Sequence, residues 1–137
     1  MIEPYGIGAS SYQAAGEIEG IRHLVDDFYT LMDESIDYYA IRQMHPKDLD
    51  TSKDKLSCFL SGWMGGDELY MQQYGTINIP QFHAFINIGA KERDMWIACM
   101  REALAKQNYA DSFKQYLIKQ LSIPAERVRI ASAEAHQ

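Results

Sequence analysis

The chain has 137 residues, 19 acidic against 13 basic side chains, a formal net charge of -6 and 47% hydrophobic content. That length fits one domain with a sizeable core, and the acidic balance excludes a nucleic-acid backbone or an anionic membrane as the main partner, since both demand a positive surface. No apolar run approaches a membrane span. The start MIEPYGIG lacks the basic and apolar regions of a secretory signal. Cys58 and Cys99 form no CxxC motif, so two buried reduced thiols and a cytoplasmic location are expected.

Residues 1–16, rich in Gly, Ser and Ala, read as a lead-in with one short helix. Ile21, Leu24, Val25, Phe28 and Met32 then recur at helical spacing, which predicts a helix from about Glu17 to Asp33 with Tyr29 beside its apolar stripe. A short helix over Ile36–Gln43 follows. Pro46 and the pair Asp48–Leu49 mark a turn that His45 occupies. A third helix is expected to start at Thr51 or Ser52, with Thr51 and Asp54 as a capping box. Its stripe is Leu56, Phe59, Leu60 and Trp63, and Gly65–Gly66 stops it.

Residues 67–75 read as a turn and a polar stretch. Pro80 precedes a short segment carrying His83 between Phe82 and Phe85, and Ile77–Ile79 alternates too briefly to count as a strand. A long helix runs from about Lys91 to Lys106 with Arg93, Trp96, Ile97, Met100 and Leu104 on one face. The last helix covers about Tyr109 to Leu121, with Phe113, Tyr116, Leu117 and Leu121 inward. Pro124 is expected to restart the chain, leaving 122–137 as an extension with a short helix that frays. The fold class is all-α, one domain over residues 1–137, with helices long enough to pack in pairs.

Several inward aromatics carry a polar tip: Tyr29, Trp63, Trp96 and Tyr116. Either each tip finds a protein partner in a closed core, or the rings line a pocket for a flat apolar cofactor. His83, in its apolar setting, is likewise either a satisfied core residue or a ligand.

Five motifs in order carry a resemblance. They are Phe28–Tyr29 on the first long helix, MHPKDL at 44–49, FLSGWMGGDELY at 59–70, the Gly75-to-His83 spacing, and ERDMWIACM at 92–100. Together they resemble the truncated haemoglobins of group II, a bacterial-type globin family with a 2-on-2 helical sandwich. The match to the family's ERDAWLxCM run is close. One departure stands out: the family's ligand loop commonly reads GHPxLRxRHxPF, and GTINIPQFHAF here lacks its basic residues. Lys55 and Tyr74 become the candidates for pairing with the haem propionates.

The resemblance implies haem b (iron protoporphyrin IX) with His83 as proximal ligand to a five-coordinate iron. It places Tyr29, His45, Ser52, Leu56 and Trp96 around the bound ligand. Phe82, Phe85, Ile86 and Ile88 would wall the proximal side, and Phe28, Phe59 and Leu60 the rest of the pocket. A hydroxyl, an indole N–H and an imidazole N–H are all donors, so dioxygen would be held tightly, with carbon monoxide and nitric oxide as further ligands. Slow release disfavours oxygen transport by diffusion and favours chemistry or sensing. Nitric oxide dioxygenase or peroxidase-like activity needs an electron donor. The chain has no GxGxxG motif, so a separate, unidentified reductase is implied. No catalytic residue is assigned. His45 or Tyr29 closing the sixth iron position in the ligand-free state stays open, as do two other readings: a non-haem helical interaction module and an oxygen or redox sensor.

Overall fold

The computed structural model describes residues 5–75 and 88–135, and among them every regular element is helical. In order these are α1 (Ser10–Ala14), α2 (Glu17–Glu34), a 3-10 turn (Ile36–Tyr38), α3 (Tyr39–Arg42), α4 (Asp50–Trp63), α5 (Leu69–Tyr74), α6 (Ala90–Ala105) and α7 (Asp111–Ala135). None of them is long and apolar enough to cross a membrane.

Helix α2 organises the packing. Its expected stripe is buried in full: Ile21, Leu24, Val25, Phe28 and Met32 are sealed, and Tyr29 is 5% exposed. This face packs against α4 and α6 together, and α6 in turn packs on α7. The result is two helix pairs, α2–α4 and α6–α7, joined where α2 meets α6. From α6 come Cys99, Met100, Ala103 and Leu104, and from α7 Phe113, Leu117 and Leu121. Each fully buried Leu, Phe or Met stabilises the fold by roughly 1.5–3 kcal/mol. The exposed Arg22–Asp54 and Lys53–Asp26 pairs between α2 and α4 add roughly 0–1 kcal/mol each. The apolar seam therefore holds the helices together, and the ion pairs adjust their register. Both cysteines are free and buried. Cys99 Sγ donates to the Phe28 carbonyl at 3.3 Å, and burial pushes its thiol up to about 12, so it is a packing group rather than a nucleophile.

Three local readings of the sequence are corrected. The first is the capping box. α4 starts at Asp50 with Leu49 at the N-cap and no side-chain cap, and the Asp50 N–H is taken by Asp48 Oδ1 at 2.9 Å. Asp54 turns instead to longer-range partners, accepting from the Tyr74 hydroxyl and from Arg22 Nη1. The second is the stretch before Gly75, which contains α5. That helix leans on α4 through the Tyr74–Asp54 bond and the Lys55 ammonium, 5.4 Å from the Tyr74 ring centroid.

The third is Pro124, which lies inside one helix running to Ala135 rather than restarting the chain. Proline costs a helix one N–H and some strain. Here the later turns are anchored from outside: Glu126 accepts from Arg93 of α6, as well as from Arg129 one turn along its own helix, and buried Ser132 accepts from the Ile88 N–H at 2.7 Å.

Gly65 follows α4 with φ of +92°, as a stop requires, and a Cβ there would lie 1.9 Å from the Gly8 carbonyl oxygen. Gly65→Ala is therefore expected to cost more than about 2 kcal/mol, because the backbone clash adds to a left-handed penalty of roughly 1–2 kcal/mol. Gly8→Ala, at φ of +54° with open space around it, pays only the smaller part. Urea midpoints of the two variants check the ranking.

Asp54 yields a second expectation. Its bond from Tyr74, and then those from Arg22, hold its carboxyl below the ordinary value of 3.8. A depressed carboxyl contributes stability that is present above the unfolded pKa and lost as pH falls through the folded one. The stability gap between the parent and Asp54→Asn should thus be open at pH 6 and shrink by pH 3. Equal gaps at both pH values would remove the ionised pairing from the account.

Candidate functional site

The side chains that gather are those at the C-terminal half of α2, the turn before α4 and the first half of α6. The Phe28 and Tyr29 rings lie 5.0 Å apart edge-on, Phe28 meets Trp96 at 5.2 Å, and Tyr29 meets His45 at 5.5 Å. The spacing explains the meeting. Phe28 and Tyr29 sit on the buried face of α2, Trp96 lies one turn before Cys99 on the face of α6 that opposes it, and the 43–49 turn returns the chain from α3 to α4 across that end.

Tyr29 is 5% exposed; its hydroxyl makes no hydrogen bond among the described residues and, since no fully buried side-chain oxygen there lacks a partner, it keeps some accessible area. Burial, and then the nearby Cys99, raise its pKa well above the tyrosine range, so the hydroxyl keeps its proton and remains a donor. The indole of Trp96 is a donor only. His45 differs from the expectation. Its Nδ1 lies 2.8 Å from the Ile41 carbonyl. A carbonyl only accepts, so Nδ1 carries the proton, and in the neutral ring Nε2 is then an acceptor rather than the expected N–H donor.

Helix α4 supplies the apolar part. Leu60 is fully buried, Leu56 and Phe59 are half-buried against the core, and Ser52 is half-buried in the first turn. Phe59 stacks on Trp63 at 6.3 Å. Leu49 and Met95, which sequence reasoning passed over, join the same half-buried layer. Lys55 and Tyr74 are together, but the Tyr74 hydroxyl is already committed to Asp54. His83, Phe82, Phe85 and Ile86 lie outside the described residues. Ile88 is half-buried and tied by its N–H to Ser132. Tyr116 stands apart from the group, packed with Tyr5 and Phe113 under the N-terminal segment. The cavity of about 260 Å³ there, lined by Gly6, Ser11, Trp63 and Gln120 among others, includes none of Tyr29, His45 or Trp96.

A layer of half-buried Leu, Met, Phe and Trp beside a tyrosine hydroxyl that keeps accessible area and has no described acceptor is poorly explained as closed core, where polar tips are paired. It fits a flat apolar group carrying a small polar ligand.

The comparisons agree. Residues 10–129 match the family model of the bacterial-like globins. The Group 2 truncated hemoglobin YjbI of Bacillus subtilis (strain 168) is 26% identical over 117 residues, covering 85% of this chain and 86% of that protein. The group II 2-on-2 haemoglobin of the plant pathogen Agrobacterium tumefaciens superposes with a TM-score of 0.83 at 26% identity, over 93% of this chain and 98% of that one. The truncated haemoglobin of Bacillus subtilis does so at 0.79 and 25% identity, over 86% and 97%. The expected 2-on-2 globin fold is thereby borne out. The chain belongs to the bacterial-like globin family, among its group II truncated haemoglobins, and is a haem globin that binds diatomic ligands.

Proposed function

We propose that this globin carries haem b on His83 and holds dioxygen tightly beside Tyr29, Trp96 and His45. With an external electron donor, it turns over nitric oxide or peroxide rather than delivering oxygen. The observation that carries the reading is the Tyr29 side chain, 5% exposed, whose hydroxyl keeps some accessible area and has no described protein acceptor, grouped with Trp96 and His45. Haem, when bound, supplies an iron that takes one imidazole from the chain and keeps a position for a diatomic molecule.

The chain's own residues decide which ligand is kept. Tyr29 and Trp96 present protons to a ligand that draws negative charge, and such a bond is worth about 1.5–3 kcal/mol net. At about 1.4 kcal/mol per decade, each donor slows release roughly tenfold to hundredfold. Carbon monoxide draws less charge and gains less. Leu56, Phe59 and Leu60 exclude water, which strengthens those bonds, and Ser52 is small enough to leave room. The oxygen-avid character of the Bacillus subtilis haemoglobin, similar in fold, supports the same direction.

Tyr29→Phe and Trp96→Phe are each expected to speed oxygen release about tenfold to hundredfold. Carbon monoxide release should change far less. Stopped-flow displacement measures both, and unchanged oxygen rates in both variants would remove the distal-donor reading.

The proximal assignment is tested separately by colour. The parent protein should show a Soret band after haemin is added, and His83→Ala should lose haem to an apo-globin scavenger much faster. Equal loss rates would move the iron ligand to another residue.

A further inference from the structure

We propose that Arg42 is a positioning residue for this pocket: it clamps the 43–49 turn, and His45 with it, to the end of α2 that carries Tyr29. The inference rests on the reading of Tyr29 and His45 as ligand-side residues. The guanidinium spends three donors in three directions. Nε reaches Asp33 Oδ1 at 2.8 Å, Nη1 the Pro46 carbonyl at 3.0 Å and Nη2 the Lys47 carbonyl at 3.0 Å.

Asp33 lies four residues after Tyr29, one turn along α2. Pro46 and Lys47 directly follow His45, and the His45 N–H donates to the Arg42 carbonyl at 3.1 Å. Arg42 thus touches both sides of the Tyr29–His45 contact without touching either ring.

The residues between α3 and α4 have no regular helix to satisfy their peptide groups. Met44 and His45 N–H groups close back onto Ile41 and Arg42, and the carbonyls of Pro46 and Lys47 are taken by the Arg42 fork. Arg42 is 16% exposed against 56% for Asp33, so the clamp is set into the protein and the carboxylate faces water. An exposed ion pair alone would hold little. A planar fork on two successive carbonyls fixes both distance and direction, and lysine has no equivalent geometry. Holding that turn also holds His45 Nδ1 opposite the Ile41 carbonyl at the end of α3, which sets the ring's tautomer.

The test uses the full-length, haem-loaded chain and the variants Arg42→Ala, Arg42→Lys, His45→Ala and the double Arg42→Ala/His45→Ala. Amide exchange in 43–49 and the protected His45 Nδ1–H resonance read the clamp directly. Oxygen off-rates read its consequence. Arg42→Ala should speed exchange in 43–49 about tenfold or more, leave α6 unchanged and lose the ring signal. Arg42→Lys should not restore either.

The oxygen off-rate should shift by about tenfold with His45 present and by less than about twofold when His45 is already alanine. Unchanged exchange with an intact ring signal would overturn the proposal, as would an off-rate shift of the same size in both backgrounds. A silent His45→Ala off-rate, with exchange and ring signal still lost in Arg42→Ala, would retire the ligand-side role of His45 and leave the clamp supported.

Discussion

One face of α2 has to be buried by two helices at once. Ile21, Leu24, Val25, Phe28 and Met32 leave no area for water, and α4 and α6 must therefore both lie against the same stripe. Two helices cannot cover a third symmetrically along its whole length when both cross it at an angle. At the C-terminal half of α2 aromatic rings occupy the seam, with fully buried Phe28 edge-on to both Tyr29 and Trp96.

The polar groups around α2 are handled unequally. The Phe28 carbonyl takes the Cys99 thiol and the Ile41 carbonyl takes His45 Nδ1, while at the other end of α2 the Tyr109 hydroxyl donates to the Ala15 carbonyl at 2.8 Å. Each is a buried or half-buried tip with a partner, as burial demands. Tyr29 is the exception. Its hydroxyl has no described acceptor and is not wholly enclosed, since no fully buried side-chain oxygen among the described residues lacks a partner. That leaves a proton donor open to an acceptor supplied from outside.

The strongly periodic elements were legible from the residues alone. The α2 stripe recurs over several turns, and no local competitor disturbs it. The Phe28–Tyr29 and ERDMWIACM motifs led to the pocket residues because each lies on a helix whose inward face is unambiguous. The failures share a cause in distant partners. Asp54 reads as a cap while only its neighbours are considered, but Tyr74 and Arg22 outbid the local N–H. Pro124 reads as a breaker until Arg93 arrives from another helix to hold Glu126. Arg42 carries no signal in its own segment, because its partners include two main-chain carbonyls that have no side-chain identity. The neutral His45 ring could be read as a donor only until the Ile41 carbonyl was seen to claim Nδ1.

The bond from the Ile88 N–H to Ser132 spans 44 residues and joins the chain's last helix to the residue that ends the stretch after α5. The carboxy-terminal turns are in effect a buckle rather than a tail. A protease nicking beyond Pro124 would release Ser132 from the Ile88 N–H, where the chain leads into α6. Damage late in α7 is therefore felt 44 residues earlier, at the entry to α6.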